Sequence, residues 1–138
     1  MSNITSPESK AFARRLLAYE AASGKSAGAK DIRPFRVFEK LRGPLVLITG
    51  AGGFRSLLSR SLARAGAEVA WLRALHIRRD GSLEGLDEME VKLGPEEIAS
   101  GEVALAAEFI GLLVTLVGPT LTLQLLQEVW PKMDELDS

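Results

Sequence analysis

From Phe109 to Leu126 the chain carries no charge, and any fold has to find a place for that run. A stretch of this length and polarity is long enough to be weighed as a membrane span. Its context argues for a buried pair of helices. Gly118-Pro119 interrupts the run, Glu108 and Glu128 bracket it with acid rather than Lys or Arg, and Trp130 is the one aromatic placed to anchor it at an interface. The expectation is two apolar helices packed within protein, a core drawn from Val103 to Val129 with Leu113, Leu116, Leu123 and Leu126 buried, and no membrane partner.

The 138 residues suit one domain, 1–138, with a hydrophobic core of its own. With 46% hydrophobic and 25% charged residues, the chain falls outside the range of disordered sequences. The absence of cysteine removes disulfides, thiolate catalysis and cysteine-based zinc sites, and suits a reducing compartment. Met1 to Ser6 lack the basic and apolar regions of a signal peptide, so the expected location is cytoplasmic.

Helical periodicity dominates the remainder. Ser6-Pro7-Glu8 reads as a helix start, and Phe12, Leu16 and Tyr19 form one face of a helix ending at Ser23-Gly24. Residues 24–31 form a small polar linker, and the tail from Asp134 to Ser138 is expected to fray. Phe35, Phe38 and Leu41 continue at helical spacing until Gly43-Pro44, where that element is expected to stop. Leu45 to Ile48 fits a buried strand or a turn of buried helix. Phe54, Leu58, Leu62, Ala65, Val69 and Leu72 then advance by threes and fours, a long helical stripe. Its opposite side holds Ser56, Ser59, Ala63, Ala67 and Ala70, so the helix is expected to pack on both sides. Asp80-Gly81 signals a type I′ hairpin between Leu75-His76-Ile77 and Leu83. Gly94-Pro95 restarts a helix that Gly101 is placed to break, and Pro119 begins a last helix running to Trp130, before Pro131. The fold class expected is all-α, a compact five- or six-helix domain with one short β-hairpin near residues 75–84. The alternative is a Rossmann-like α/β fold.

That alternative comes from Leu45 to Phe54, an apolar run followed by glycines, which resembles the opening of a short-chain dehydrogenase. Gly50 and Gly53 match the first two glycine places, and Arg73 stands where an acid would meet the ribose, which would suit a phosphorylated ribose of an NADP-like cofactor. Ser56 fills the third glycine place, and the Tyr-x-x-x-Lys pair of that family is missing, since Tyr19 is followed by Ser23. Glycines punctuating helices account for the run better. Gly24-Lys25-Ser26 resembles the end of a phosphate loop, but Tyr19 occupies the place of its first glycine. Asp80 to Gly85 resembles half of a calcium loop, with Asp87 and Val91 where an apolar residue and a bidentate glutamate belong. His76, the one histidine, cannot build a catalytic zinc site without two carboxylates. No catalytic residue, metal or cofactor is therefore assigned.

A wider set of segments is similar to short bacterial helical proteins of no assigned activity: Gly53-Phe54-Arg55, Leu57-Leu58-Ser59-Arg60, Trp71-Leu72-Arg73-Ala74, Asp80 to Leu86, and Glu128-Val129-Trp130-Pro131. The resemblance implies a helical fold and no function.

Charge supplies the positive lead. Residues 1–79 hold fifteen Lys and Arg against five Asp and Glu, and residues 80–138 hold two against thirteen, so +10 faces −11. Arg60, Arg64 and Trp71 fall on one helical flank, with Lys10 and Arg14 as further partner-binding candidates. The function expected is a non-enzymatic protein-interaction or regulatory module, self-associating as a homodimer or binding another protein. Nucleotide binding at 50–53 and nucleic-acid binding by the basic half are the alternatives.

Overall fold

The structure, a computed structural model, describes residues 11, 13–18 and 35–130. The helix start at Ser6-Pro7-Glu8, the positions Lys10, Phe12 and Tyr19, the linker 24–31 and the acidic tail lie outside those residues. Helix makes up 83% of what is described, and the single sheet there is a two-stranded hairpin, so the class is all-α. In chain order, α1 is described over 13–18, α2 spans Arg36–Glu68, a 3-10 turn Ala70–Ala74, α3 Leu86–Lys92, α4 Pro95–Val117 and α5 Pro119–Val129. β1 (His76–Ile77) and β2 (Leu83–Glu84) pair antiparallel between the 3-10 turn and α3.

Gly50 breaks α2 into two limbs. Its φ of 81° and ψ of 163° lie in a region open essentially to glycine alone. Gly118, at φ 91° and ψ 160°, makes the same kind of break between α4 and α5. The first limb begins unusually: Phe35, at its N-cap, is left-handed (φ 68°), the one such non-glycine residue described. Its N–H donates to the Glu102 carboxylate of α4 at 3.0 Å, which brings an acid to the positive end of the helix. Rings complete the junction. Phe109 of α4 meets Phe38 of the first limb at 5.6 Å between centroids and Phe54 of the second at 5.9 Å, both edge-on. Around them Leu16, Leu41, Leu45, Leu58, Leu72, Leu105, Leu113 and Leu126 are fully buried.

Several expectations are corrected here. Gly43-Pro44 does not end a helix: Pro44 lies inside α2 and Leu45 to Thr49 are helical. Proline forfeits one hydrogen bond and crowds the preceding turn, at about 3 kcal/mol. Phe38, Leu41 and Leu45 are buried along one seam across that point, and at roughly 1.5–3 kcal/mol per buried side chain their burial outweighs the loss. The strand that a Rossmann-like alternative requires is absent from 45–49, and 68–72 holds a helix end and a 3-10 turn. The stripe from Phe54 breaks at Val69, which is extended (φ −121°), yet Leu72 is still buried. Its small side does not pack: Ser56, Ser59, Ala63, Ala67 and Ala70 are exposed.

The hairpin turn is not type I′, because Asp80 does not have positive φ. Arg78 N–H donates to the Ser82 carbonyl and Gly81 N–H to the Arg78 carbonyl, with Gly81 left-handed at φ 88°. That is a three-residue loop closed by a glycine bulge. Gly101 does not interrupt α4 either. The Trp71 indole lies over it and donates its ring N–H to the Glu97 carbonyl, so glycine there serves close packing. A Cβ at Gly101 would collide with the indole's six-membered ring. Gly101→Ala should lower stability by about 1–3 kcal/mol despite its better helix propensity, read as a lower urea midpoint at unchanged slope.

Candidate interaction surface

The two glycine breaks lie at one end of the molecule. Phe35 meets Glu102, and Phe38 meets Phe109 further along, so the first limb of α2 and α4 run side by side in one direction. Residues 36–49 and 103–117 each rise about 21–23 Å from that shared start, so both Gly50 and Gly118 lie toward the end away from it. The second limb returns from there, with Arg64 beside Glu108 and Trp71 over Gly101. No charge occurs from Gly43 to Phe54 or from Phe109 to Gln127, two segments in contact through Phe54 and Phe109.

Large apolar side chains stand in solvent there. Leu47 is 88% exposed and Leu116 61%, with Ile48, Leu121 and Leu123 also exposed. Leu116 and Leu123, expected in the core, are therefore corrected to the surface; Leu113 and Leu126 are buried as expected. The cause is geometric. Leu116 lies in the last turn of α4, beside the break at Gly118, and α5 buries Thr122, Leu125 and Leu126 while Leu121 and Leu123 lie to either side of that face. Three-and-four spacing within 119–129 could have identified that buried face. Nothing in the spacing marks Leu47, which falls between buried Leu45 and the Gly50 break. α4 itself is long and apolar enough to cross a bilayer, with mean hydropathy 1.7 over its best window, half of which is buried in protein.

The sequence-derived candidates do not form one site. Arg60 is exposed on α2. Arg64 is held by Glu108, Nε to Oε1 at 2.8 Å, so one cation of the basic half is matched inside the fold by the acidic half. Trp71 is half-buried between Gly101 and Phe35, a packing residue as well as a surface one. Arg14 is exposed on α1, and Lys10 is outside the described residues. Gly50 makes the break and Gly53 follows it, whereas Arg73 lies past the other end of the second limb and donates to the Gly66 carbonyl at 3.1 Å. About 27 Å of helix separates them, so they do not assemble a cofactor site. Among the described residues no group of His, Asp and Glu is placed to hold a metal.

No family model matches the chain, and no curated protein or solved structure is significantly similar to it.

The calcium-loop look-alike resolves into hairpin chemistry. The Asp80 carboxylate accepts from the Ser82 hydroxyl at 2.6 Å and the Ser82 N–H at 2.9 Å, and Arg42 reaches the Asp80 carbonyl at 3.1 Å. The Ser82 hydroxyl and then its N–H hold the Asp80 carboxyl below the usual aspartate range, with Arg42 and Arg78 adding to the effect. A depressed folded-state pKa stabilises the hairpin above the unfolded value of about 3.9 and loses that contribution as pH falls through the lower folded value. Ser82→Ala should raise the Asp80 midpoint toward the ordinary range, read by carboxyl-carbon NMR; an unmoved midpoint would contradict this account.

Proposed function

We propose that this protein is a non-enzymatic, cytoplasmic interaction module that works as a homodimer through the leucine-bearing end at Gly50 and Gly118. The observation that carries the reading is the exposure of Leu47, Ile48, Leu116, Leu121 and Leu123 on two charge-free segments at one end. Exposed apolar patches on small domains mark association sites. A second copy fits because a two-fold contact must complement itself. An apolar face does so without charge matching, whereas a face built on the basic or the acidic residues would select an oppositely charged partner. Arg60 is exposed along the second limb and Arg14 lies beside Glu68, Glu96 and Ser100, away from that end, so neither is part of the proposed contact.

Light scattering at low and high salt tests the proposal. The parent should be a dimer at both, because apolar association is insensitive to the screening that weakens exposed ion pairs beyond about 8 Å at physiological ionic strength. Leu47→Glu/Leu116→Glu should be monomeric with unchanged helicity. Arg60→Glu/Arg64→Glu should remain dimeric. A monomeric parent would overturn the proposal. A dimer broken by salt or by the arginine changes would move the interface to the basic face, and binding of a random DNA duplex with a steep salt slope would favour nucleic-acid binding.

A further inference from the structure

A groove of about 380 Å³ lies away from the leucine end, between the start of α2, the hairpin and α3. Phe35, Phe38 and Arg42 line it on the α2 side, Arg78 on the hairpin side, and Leu86, Asp87 and Glu90 of α3 form the facing wall. Phe35 and Phe38 are almost wholly buried, packed by each other, Trp71 and Phe109, and α3 faces them across the groove.

α3 is held weakly for an element in that position. It spans seven residues and buries none of them. Leu86 and Met89, with Leu93 just beyond, are only half-buried against the core, and Val91 is 87% exposed. A helix this short is far below the length of about 12–15 residues at which an isolated helix becomes even marginal in water, so its persistence depends on those few contacts. No side chain caps its start; Gly85 does so in a left-handed conformation (φ 98°), and Gly94 follows its end with open space where a Cβ would lie. Glycine at both ends gives the backbone the freedom to change direction there. The neighbouring α4, by contrast, buries ten residues and shares the Phe109 junction with α2.

We infer that α3 is a strap that opens as a unit about Gly85 and Gly94 while α2 and α4 stay folded, widening the groove on the side that faces Phe35 and Phe38. Opening also removes Asp87 and Glu90 from the wall. The closed groove sets Glu39, Asp80, Asp87 and Glu90 against Arg42 and Arg78; the open one sets Glu39 and Asp80 against the same two arginines. The strap thus changes the groove from acidic to balanced as it widens it.

Native-state hydrogen exchange on the full chain tests the inference. Amides of Met89 and Leu93, bonded to the Gly85 and Met89 carbonyls, should exchange at least about a hundredfold faster than those of Leu105 and Phe109 and respond little to low urea. Val91→Pro removes a helical hydrogen bond at a position that contributes almost no packing. It should abolish protection in α3 and leave that of α2 and α4 unchanged. If α3 exchanges only through global unfolding, or if Val91→Pro lowers α4 protection tenfold or prevents folding, α3 is an integral part of the core and not a strap.

Discussion

The contact of Phe109 with Phe38 and Phe54 is what ties the described helices together. A straight α2 of 33 residues would reach about 50 Å, longer than a compact body of this size, whose radius of gyration is about 14 Å. The bend at Gly50 folds that length back so that two limbs of one helix lie against α4. Phe109 then packs against both limbs at once. An aromatic side chain buries roughly 150–250 Å², so three rings at this junction supply a large share of the apolar burial that offsets chain entropy. The outer elements follow from it. Trp71 reaches α4 because the second limb returns, and Glu102 reaches Phe35 because the first limb runs beside α4.

Local pattern made the helices legible and left the bends obscure. The three-and-four spacing from Phe54, the Gly94-Pro95 restart and the Pro119 start all correspond to observed helices, since each depends on neighbours within one turn. Pro44 and Gly101 were the misleading signals. At Pro44, burial on both sides of the proline outweighs a lost hydrogen bond. At Gly101, the small side chain is explained by Trp71, thirty residues away in sequence, and no local rule can anticipate that contact. The chain also contains several glycines around position 50, and composition does not say which one bends. The structure places the bend at Gly50, whose Cβ position faces open space, while a Cβ at Gly53 would press on Thr49.

The charge asymmetry was legible as a sum and illegible as a surface. Arg64 with Glu108, the Phe35 N–H with Glu102 and Arg42 with the Asp80 carbonyl all join the basic segment to the acidic one within the molecule. Which cations are matched depends on how helices cross, and that depends on Gly50. Such contacts hold orientation more than they stabilise: an exposed pair like Arg64–Glu108 is worth at most about 1 kcal/mol. The +10 and −11 segments therefore overstate the field available to an outside partner.

The same geometry reverses the roles expected of two faces. The small side of α2 looks in sequence like a seat for another helix, but α4 and the 3-10 turn take the opposite and lateral faces, and Ser59 and Ala63 remain exposed. Leaving alanine and serine in water forfeits little, because they carry little apolar area. Leu47 and Leu116 are different: at about 25 cal/mol per Å² of apolar surface, each large side chain left in solvent forgoes stabilisation that burial would have supplied. The chain concentrates that loss near its two glycine-only bends, on segments that carry no charge of their own, although the Arg55 guanidinium reaches back beside Gly52. A loss scattered over the surface would need no explanation, since single exposed leucines are ordinary. Gathered on two charge-free segments, it is the arrangement that a second apolar surface would relieve.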